Sequence, residues 1–501
     1  MFGNSKETLT FAGMIAEELT QIIGRELRHT PTTDQAHAMS TFCRFLTDRS
    51  PWAAMILRGS AGTGKTTLAS AMVKALAAMN QKMVLLAPTG RAAKVFSLYA
   101  GHPAYTIHRR IYRQKTAGDL SAFSLNDNLH THTLFIVDEA SMIANGGASS
   151  ASFGSGCLLD DLIQYVYGSH EGKPTDCRLL IIGDSAQLPP VGEQESAALS
   201  GETLRGYGLT VYECDLKEVL RQSQDSGILF NATLIRQLIT HDEMTQLPKI
   251  KLGFPDIVAV NGNELIDSLS MSYSKVGLDD TIVVTRSNKR ANIYNRGIRG
   301  MVLDREEKLC RNDQIMIVKN NYYWAEEERK HQEGQSAPPF AFLANGDRAI
   351  VQRIRNERQL YGFLFANATL RLPDYDDYEF TATVLLDTLD SESPALTREQ
   401  QESLYNSVME DYGDIAQKAD RLKQLRQDAH YNALQIKYAY AVTCHKAQGG
   451  QWAHVYIDQG YMTDDMLTPD YIHWLYTAFT RATEKLFLVN WPKEQTSADR
   501  P

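Results

Sequence analysis

The sequence predicts an α/β fold with two blocks of parallel strands, the second interrupted by a β-rich and helical insertion. Three observations carry this. Short apolar runs of β type alternate with helical stretches, the pattern of βαβ units around a buried sheet. The pattern occurs twice, first over about residues 55–182 and again from Thr281 to Val489. Between 301 and 434 it gives way to segments of another character. At roughly 150 residues per domain, 501 residues suffice for about three domains with cores of their own.

In chain order, Met55-Ile56-Leu57 runs into a glycine-rich turn, and a helix is predicted from Thr66 to about Met79. Met83-Val84-Leu85-Leu86, Leu134-Phe135-Ile136-Val137 and Leu179-Leu180-Ile181-Ile182 are further strands, each followed by a polar cluster. Parallel sheets bind ligands at the carboxyl ends of their strands, where these clusters lie. Asn145 to Gly156, rich in Gly, Ser and Ala, reads as a flexible loop. The second block holds Thr281-Ile282-Val283-Val284, Tyr438-Ala439-Tyr440-Ala441-Val442, Val455-Tyr456-Ile457 and Leu486-Phe487-Leu488-Val489. The insertion opens with β segments at Gln314–Lys319, Ala349–Ile354 and Phe380–Leu386 around the turn Asn345-Gly346-Asp347. It continues as one helix from Thr397 to about His430. Thr397 and Gln400 fit a capping box, and Leu404, Val408, Tyr412, Ile415, Ala419 and Leu422 recur at helical spacing.

A composition of 43% hydrophobic and 22% charged residues excludes collagen-like, disordered and low-complexity classes. The six cysteines are dispersed without a CxxC pair, which argues against a disulfide framework or a zinc site and for a reducing compartment. The first residues carry acids where a signal peptide needs an apolar core, and no run of about 18 apolar residues occurs. A soluble, cytoplasmic protein is expected. The net charge of −9 argues, taken whole, against a basic nucleic-acid coat protein. Its position matters more than its size: Asp374 to Asp414 holds twelve acidic residues against Arg398 alone, so the rest of the chain is slightly basic.

Gly59-Ser60-Ala61-Gly62-Thr63-Gly64-Lys65-Thr66 fits GxxxxGK[ST] between a strand and a helix, the context that supports a phosphate loop. Backbone N–H groups would cradle phosphates, Lys65 neutralise the β- and γ-oxygens, and Thr66 ligate Mg²⁺. Asp138-Glu139 follows the strand Leu134 to Val137. Asp138 would hold Mg²⁺, while Glu139 would orient and deprotonate an attacking water. A nucleoside triphosphate site with its own general base is that of a hydrolase, rather than of a kinase passing phosphate to a substrate.

These residues resemble motifs I and II of the superfamily 1B DNA helicases, specifically the RecD/Dda/Pif1-like branch, and further motifs follow in the family order. Thr33-Asp34-Gln35 resembles the adenine-reading Q motif, Ala87 to Lys94 motif Ia, Thr106-Ile107-His108 motif Ib, and Gly183 to Val191 motif III. Leu216 to Gln222 is similar to motif IV, Thr443 to Gly449 to motif V, and Tyr476 to Ala482 to motif VI. The resemblance implies two RecA-like P-loop motor domains with parallel sheets and a small SH3-like β domain carrying a helical insertion. The corresponding bounds are 1–200 for motor domain 1A with a pin at about 109–131, 201–300 and 435–501 for motor domain 2A, and 301–434 for the inserted 2B domain. It implies arginine fingers at Arg221 and Arg481, a γ-phosphate sensor at Gln187, and nucleotide contacts that include Gln35, the loop from Gly59 through Thr66, Thr67 and Gly449.

Nucleic acid needs positive charge along its backbone and flat groups for its bases. Pro88 to Lys115 carries Arg91, Lys94, Arg109, Arg110, Arg113 and Lys115 with no acid, and Thr281 to Gly300 carries Arg286, Lys289, Arg290, Arg296 and Arg299 with none. Pro88, Thr89, His108, Thr443 and His445 match family positions that touch a single strand, and Asn288 and Lys446 are placed beside them. Phe123 is the aromatic wedge candidate of the pin. The expected activity is an ATP- and Mg²⁺-dependent helicase on single-stranded DNA and single-strand/duplex junctions. The resemblance implies 5′-to-3′ movement, competence as a monomer, possible protein partners in repair or replication, and no membrane. Two alternatives stand beside it: the motor subunit of a multi-subunit repair nuclease, and a P-loop ATPase that does not act on nucleic acid.

Overall fold

The computed structural model describes residues 17–114, 123–146, 154–168, 175–219, 226–241, 247–331, 338–340 and 342–497. A helix over 17–27 (α1) and α2 (Thr33–Thr47) lead into β1 (Ala53–Gly59), α3 (Lys65–Ala78) and β2 (Met83–Ala87). Then come α4 (Gly90–Ala100), β3 (Ala104–Thr106), α5 (Ile107–Ile111) and the hairpin β4 (Tyr112–Gln114) and β5 (Phe123–Leu125). β6 (Leu134–Val137), α6 (Leu158–Tyr167), β7 (Arg178–Gly183), α7 (Gly201–Gly206) and β8 (Thr210–Leu216) complete the first unit. Its strands form one parallel sheet in the order β3-β2-β6-β7-β1-β8. Ala53 through Leu57 are wholly buried, because helices cover both faces, and that is why the strand reads as a continuous apolar run. With β1, β7 and β6 side by side, the phosphate loop, Asp184 and the Asp138-Glu139 pair leave the sheet at one edge.

The second unit begins with α8 (Gly227–His241), β9 (Ile250–Lys251), β10 (Ile257–Val260), α9 (Leu265–Val276), β11 (Thr281–Thr285) and α10 (Asn288–Gly297). The chain then leaves it for β12 (Gln314–Ile317), α11 (Tyr323–His331), β13 (Arg348–Leu360), β14 (Phe363–Leu372) and β15 (Tyr378–Leu385). α12 (Arg398–Asp411), α13 (Lys418–Arg426) and β16 (Leu434–Tyr438) follow, and β12 through β16 close into a barrel. The chain returns through β17 (Ala441–Thr443), α14 (Cys444–Ala447), β18 (Trp452–Asp458), α15 (Pro469–Phe479), β19 (Ala482–Val489) and β20 (Thr496–Ser497). The second parallel sheet has the order β10-β19-β18-β11-β17. Among the described residues no helix is long and apolar enough to cross a membrane.

Several expectations need correction. β8 pairs with β1 along its length, so the first unit extends past 200 to Leu216. Leu434 to Tyr438 pairs with β12 and β15, so the barrel extends past 434 and the return to the second sheet falls between Tyr438 and Ala441. The helix expected over 397–430 is two helices, broken where Gly413 and Asp414 favour a turn over continued helix. The apolar spacing survived the break because both helices press on one cluster containing Leu404, Val408 and Leu425. β14 was not anticipated. Phe123 is buried against Tyr322 and Phe342, with ring centroids 4.6 and 6.3 Å away, and is no exposed wedge. The tip of its hairpin, and much of the stretch Asn145 to Gly156, lie outside the described residues.

The barrel hangs from the second unit on a buried carboxylate. Asp313, just ahead of β12, accepts hydrogen bonds from the Arg299 guanidinium (3.0 and 3.1 Å), Arg305 (2.8 Å), the Tyr440 hydroxyl (2.8 Å) and the Cys310 N–H (2.7 Å). Arg299 follows α10, and Tyr440 lies between β16 and β17, so one carboxylate ties together both crossings into the barrel. Removing one partner of such a set leaves buried charge uncompensated. Asp313→Ala should therefore lower stability by roughly 3–5 kcal/mol, read as a fall in the urea midpoint. An unchanged midpoint would show the cluster to be energetically idle.

Candidate active site

The phosphate loop turns sharply because Gly62 and Gly64 adopt φ of +80° and +74°, open to glycine at little cost. The Thr63 N–H and hydroxyl both donate to Ser60 O, at 3.3 and 2.8 Å. Gly64 is the N-cap of α3 and has no side chain to cap it, so the first N–H groups of that helix are left for an anion. The loop opens on a cleft of about 400 Å³. Lys65, Thr66, Asp138, Glu139, Asp184 and Gln187 line it from the first unit, and Gln451, Thr480 and Arg481 from the second.

Asp138 accepts from the Tyr99 hydroxyl and from the Glu139 N–H at 2.9 Å. Burial pushes its carboxyl above the usual carboxylate range, with Lys65 pulling it back, and Asp184 is shifted the same way for the same reasons. Glu139 is held at φ +52°, a strained value for a residue with a side chain. Its Oε2 and the Oε1 of Gln187 are buried without a hydrogen-bond partner. Each such atom costs about 1–3 kcal/mol, and buried polar atoms of this kind call for a ligand or an ion.

The two units meet through the Tyr476 hydroxyl, which donates to Asp184 Oδ2 at 2.7 Å and accepts from the Ala61 N–H at 2.8 Å. Thr477 Oγ1 accepts from the Leu188 N–H at 2.7 Å, and Gln448 donates to Leu188 O at 2.7 Å. Arg481 lines the cleft at 3% exposure, yet its guanidinium donates within its own unit. The acceptors are Thr477 O (3.0 Å), Gly450 O (3.1 Å) and Thr480 Oγ1 (3.1 Å). Arg221 lies outside the described residues.

Other expected contacts fall elsewhere. Gln35 is fully buried; its Oε1 accepts from the Thr32 N–H at 3.2 Å and its amide donates to Thr63 O at 3.1 Å. It braces the phosphate loop from behind, because the capping box of α2 and the loop carbonyl occupy both ends of its amide. Thr67 is exposed and does not line the cleft. A Cβ on Gly449 (φ +70°) would come within 3.0 Å of the Ala92 side chain and 3.3 Å of Thr89 Oγ1, so this glycine permits close packing between units. Asp184, Tyr476 and Gln451 had no assigned role, although the first two stand inside quoted motifs.

Pro88, Thr89, Thr106, His108 and Arg109 meet Asn320, Phe342, Asn345 and Tyr375 of the barrel region around a cavity of about 90 Å³. Burial lowers the His108 imidazole to about 4, so it is neutral at pH 7. Thr285 and Thr443 are register partners, so Arg286 and Asn288 leave the sheet beside His445 and Lys446. Arg286 and His445 are exposed, while burial, reinforced by Lys437, lowers Lys446 to about 8. The basic stretches are less free than their composition implied. Arg91 donates to Gln451 O at 2.6 Å and lies 4.2 Å over the Trp452 ring, and Lys94 donates to Pro373 O. These two hold interfaces. Lys289, Arg290, Arg296 and Arg299 pair with Glu392, Asp458, Asp390 and Asp313, acids distant in sequence that folding brings alongside.

Asp347 lies at the floor of the smaller cavity, accepting from the Ala344 N–H at 2.7 Å and the Tyr375 hydroxyl at 3.1 Å. Burial pushes its carboxyl up to about 7. With a folded value above the ordinary 3.8, its contribution to stability is full below about 3.8 and disappears as pH rises through about 7. Asp347→Asn should remove that dependence. Its Tm should gain on the parent's between about pH 4 and pH 8, and a constant Tm difference would refute the assignment.

Two sequence families match the chain: one described as "AAA domain" over residues 30–151, the other as "UvrD-like helicase C-terminal domain" over 438–489. The chain is 30% identical over 143 residues to the ATP-dependent RecD2 DNA helicase of Deinococcus radiodurans, covering 27% of this chain and 16% of that protein. It is 25% identical over 265 residues to the ATP-dependent DNA helicase dda of Enterobacteria phage T4, covering 50% and 53%. Thus it spans about half or less of the length of these two relatives. A crystal structure of Pif1 helicase from Bacteroides with ADP-AlF3 and ssDNA matches with a TM-score of 0.46 at 15% identity, covering 93% of this chain and 94% of that one. The phosphate loop lies inside the first family match and the motif at Tyr476 to Ala482 inside the second, so over these two stretches the chain is similar to AAA domains and to UvrD-like helicase C-terminal domains.

Proposed function

We propose that this chain hydrolyses ATP with Mg²⁺ and uses the cycle to move 5′ to 3′ along single-stranded DNA and part duplexes. The observation that carries the reading is the cleft shared by two units, with the phosphate loop, Asp138 and Glu139 on one wall and Arg481 on the other. Its unpaired buried Glu139 and Gln187 oxygens suit a bound triphosphate and an attacking water. Among the described residues no three His, Cys, Asp or Glu side chains converge to hold a metal. Mg²⁺ here would rest on Thr66, Asp138 and phosphate oxygens, as Mg²⁺ generally does. The names borne by the RecD2 and dda relatives support DNA as the substrate.

On this reading Lys65 neutralises the triphosphate, Glu139 takes a proton from the attacking water, and Gln187 reports the γ-phosphate to the second unit. Arg481 offers its guanidinium to the transition state after giving up its present acceptors, and Arg221 acts beside it. That exchange couples hydrolysis to a change in how the units sit. Pro88, Thr89 and His108 on one unit, and Arg286, Asn288, Thr443, His445 and Lys446 on the other, form the strand path.

Steady-state ATPase with and without oligothymidylate tests the proposal. Turnover should rise several-fold with DNA, whereas flat turnover would favour a nucleotide hydrolase that ignores nucleic acid. Lys65→Ala and Glu139→Gln should both abolish turnover, the second while still binding ATP. Unwinding of 5′-tailed but not 3′-tailed duplex checks the direction.

A further inference from the structure

A second cleft, of about 370 Å³, lies between the barrel and the α12–α13 insertion. That volume falls within the range of ligand sites, about 300–1,000 Å³. α12 belongs to the most acidic part of the chain while α13 is basic, and no Asp or Glu lines this cleft. Its charged side chains are Lys319 and Arg426, both exposed, and its rings include Tyr323, Tyr405 and Tyr431. Tyr405 and Tyr431 meet edge to face at 6.2 Å and remain half-buried at the cleft wall. Three acids of the surrounding segment pair elsewhere, Asp390 with Arg296, Glu392 with Lys289 and Asp377 with Arg371, while Glu327 and Asp428 act on Tyr323 from outside the lining. Burial alone shifts the Lys319 ammonium, downward, with no carboxylate acting on it.

The cleft adjoins the strand path. Asn320 lines both it and the cavity formed by Thr89 and His108, and its Oδ1 accepts from the Asn345 N–H at 2.7 Å between them. Aromatic faces beside cations are what unpaired bases and their phosphates require.

We propose that this cleft is a single-stranded nucleic-acid subsite, continuous with the motor's strand path, in which bases stack on Tyr405 and its neighbouring tyrosines while Lys319 and Arg426 meet the phosphates. It rests on the nucleic-acid reading above and extends the strand beyond the two motor units.

Fluorescence anisotropy on the full chain tests it, using labelled oligothymidylates of about 8 and about 20 nucleotides. The parent should bind the longer strand more tightly. The double variant Lys319→Glu/Arg426→Glu, altered only at exposed positions, should bind the longer strand about tenfold more weakly and with a shallower salt dependence, while binding the shorter one as the parent does. Tyr405→Ala should act in the same direction, and Tyr405→Phe, which keeps the ring, should restore parental affinity. If the parent binds the short strand and the double variant binds the long one undiminished, the subsite is overturned and the motor reading stands. If the parent binds neither strand, both fall.

Discussion

The hydroxyl of Tyr476 holds the two sheet units in the relation on which the rest of the molecule depends. It accepts from a phosphate-loop N–H and donates to the buried carboxylate of Asp184, so one oxygen joins the end of β1, the end of β7 and the helix α15. The geometry of the cleft follows from it. Thr477, next in sequence, anchors the loop after β7 through Leu188, and Arg481 lies one turn further on, against the cleft wall. In so dry a place each of these bonds is strong and each missing partner costly, so the arrangement is favoured as a set.

Much of the cleft was legible in the sequence because its chemistry lives in short contiguous stretches. Glycines at positive φ, a lysine at a helix start and a carboxylate pair after an apolar run need no distant partner to be recognised. The present partners of Gln35 were hidden for the opposite reason: its side chain answers to Thr63, nearly thirty residues along, as well as to its own helix cap. The partners of the basic stretches were hidden likewise. Arg296 looks solvent-facing beside its sequence neighbours, and only folding brings Asp390 to it. Domain limits slipped by a strand at β8 and β16 because an apolar run states that it is buried without stating which sheet receives it.

The barrel touches both units and is fixed differently to each. Asp313 attaches it to the second through a buried, multiply bonded charge. Its contacts to the first are of another kind: Tyr322 and Phe342 packed on Phe123, Lys94 on Pro373 O, and the Tyr375 hydroxyl beside Gly90, where a Cβ would stand 3.0 Å away. The charged tie is to the unit that carries Arg481, and the largely apolar one borders the proposed strand path.

The closing strands of the barrel explain where its helical insertion sits. Three of the five barrel pairings join consecutive strands antiparallel, as short turns can, and β12 closes antiparallel on β16, but β15 and β16 run parallel. A parallel pair cannot be joined by a hairpin; the chain must travel back along the barrel first, which takes a dozen or more residues. The topology therefore demands a long return path at this one place and is indifferent to what fills it. Helices α12 and α13 occupy a stretch of chain that the barrel would have needed in any case, which makes this crossover the position where the fold can take on a new module without disturbing a single strand pairing.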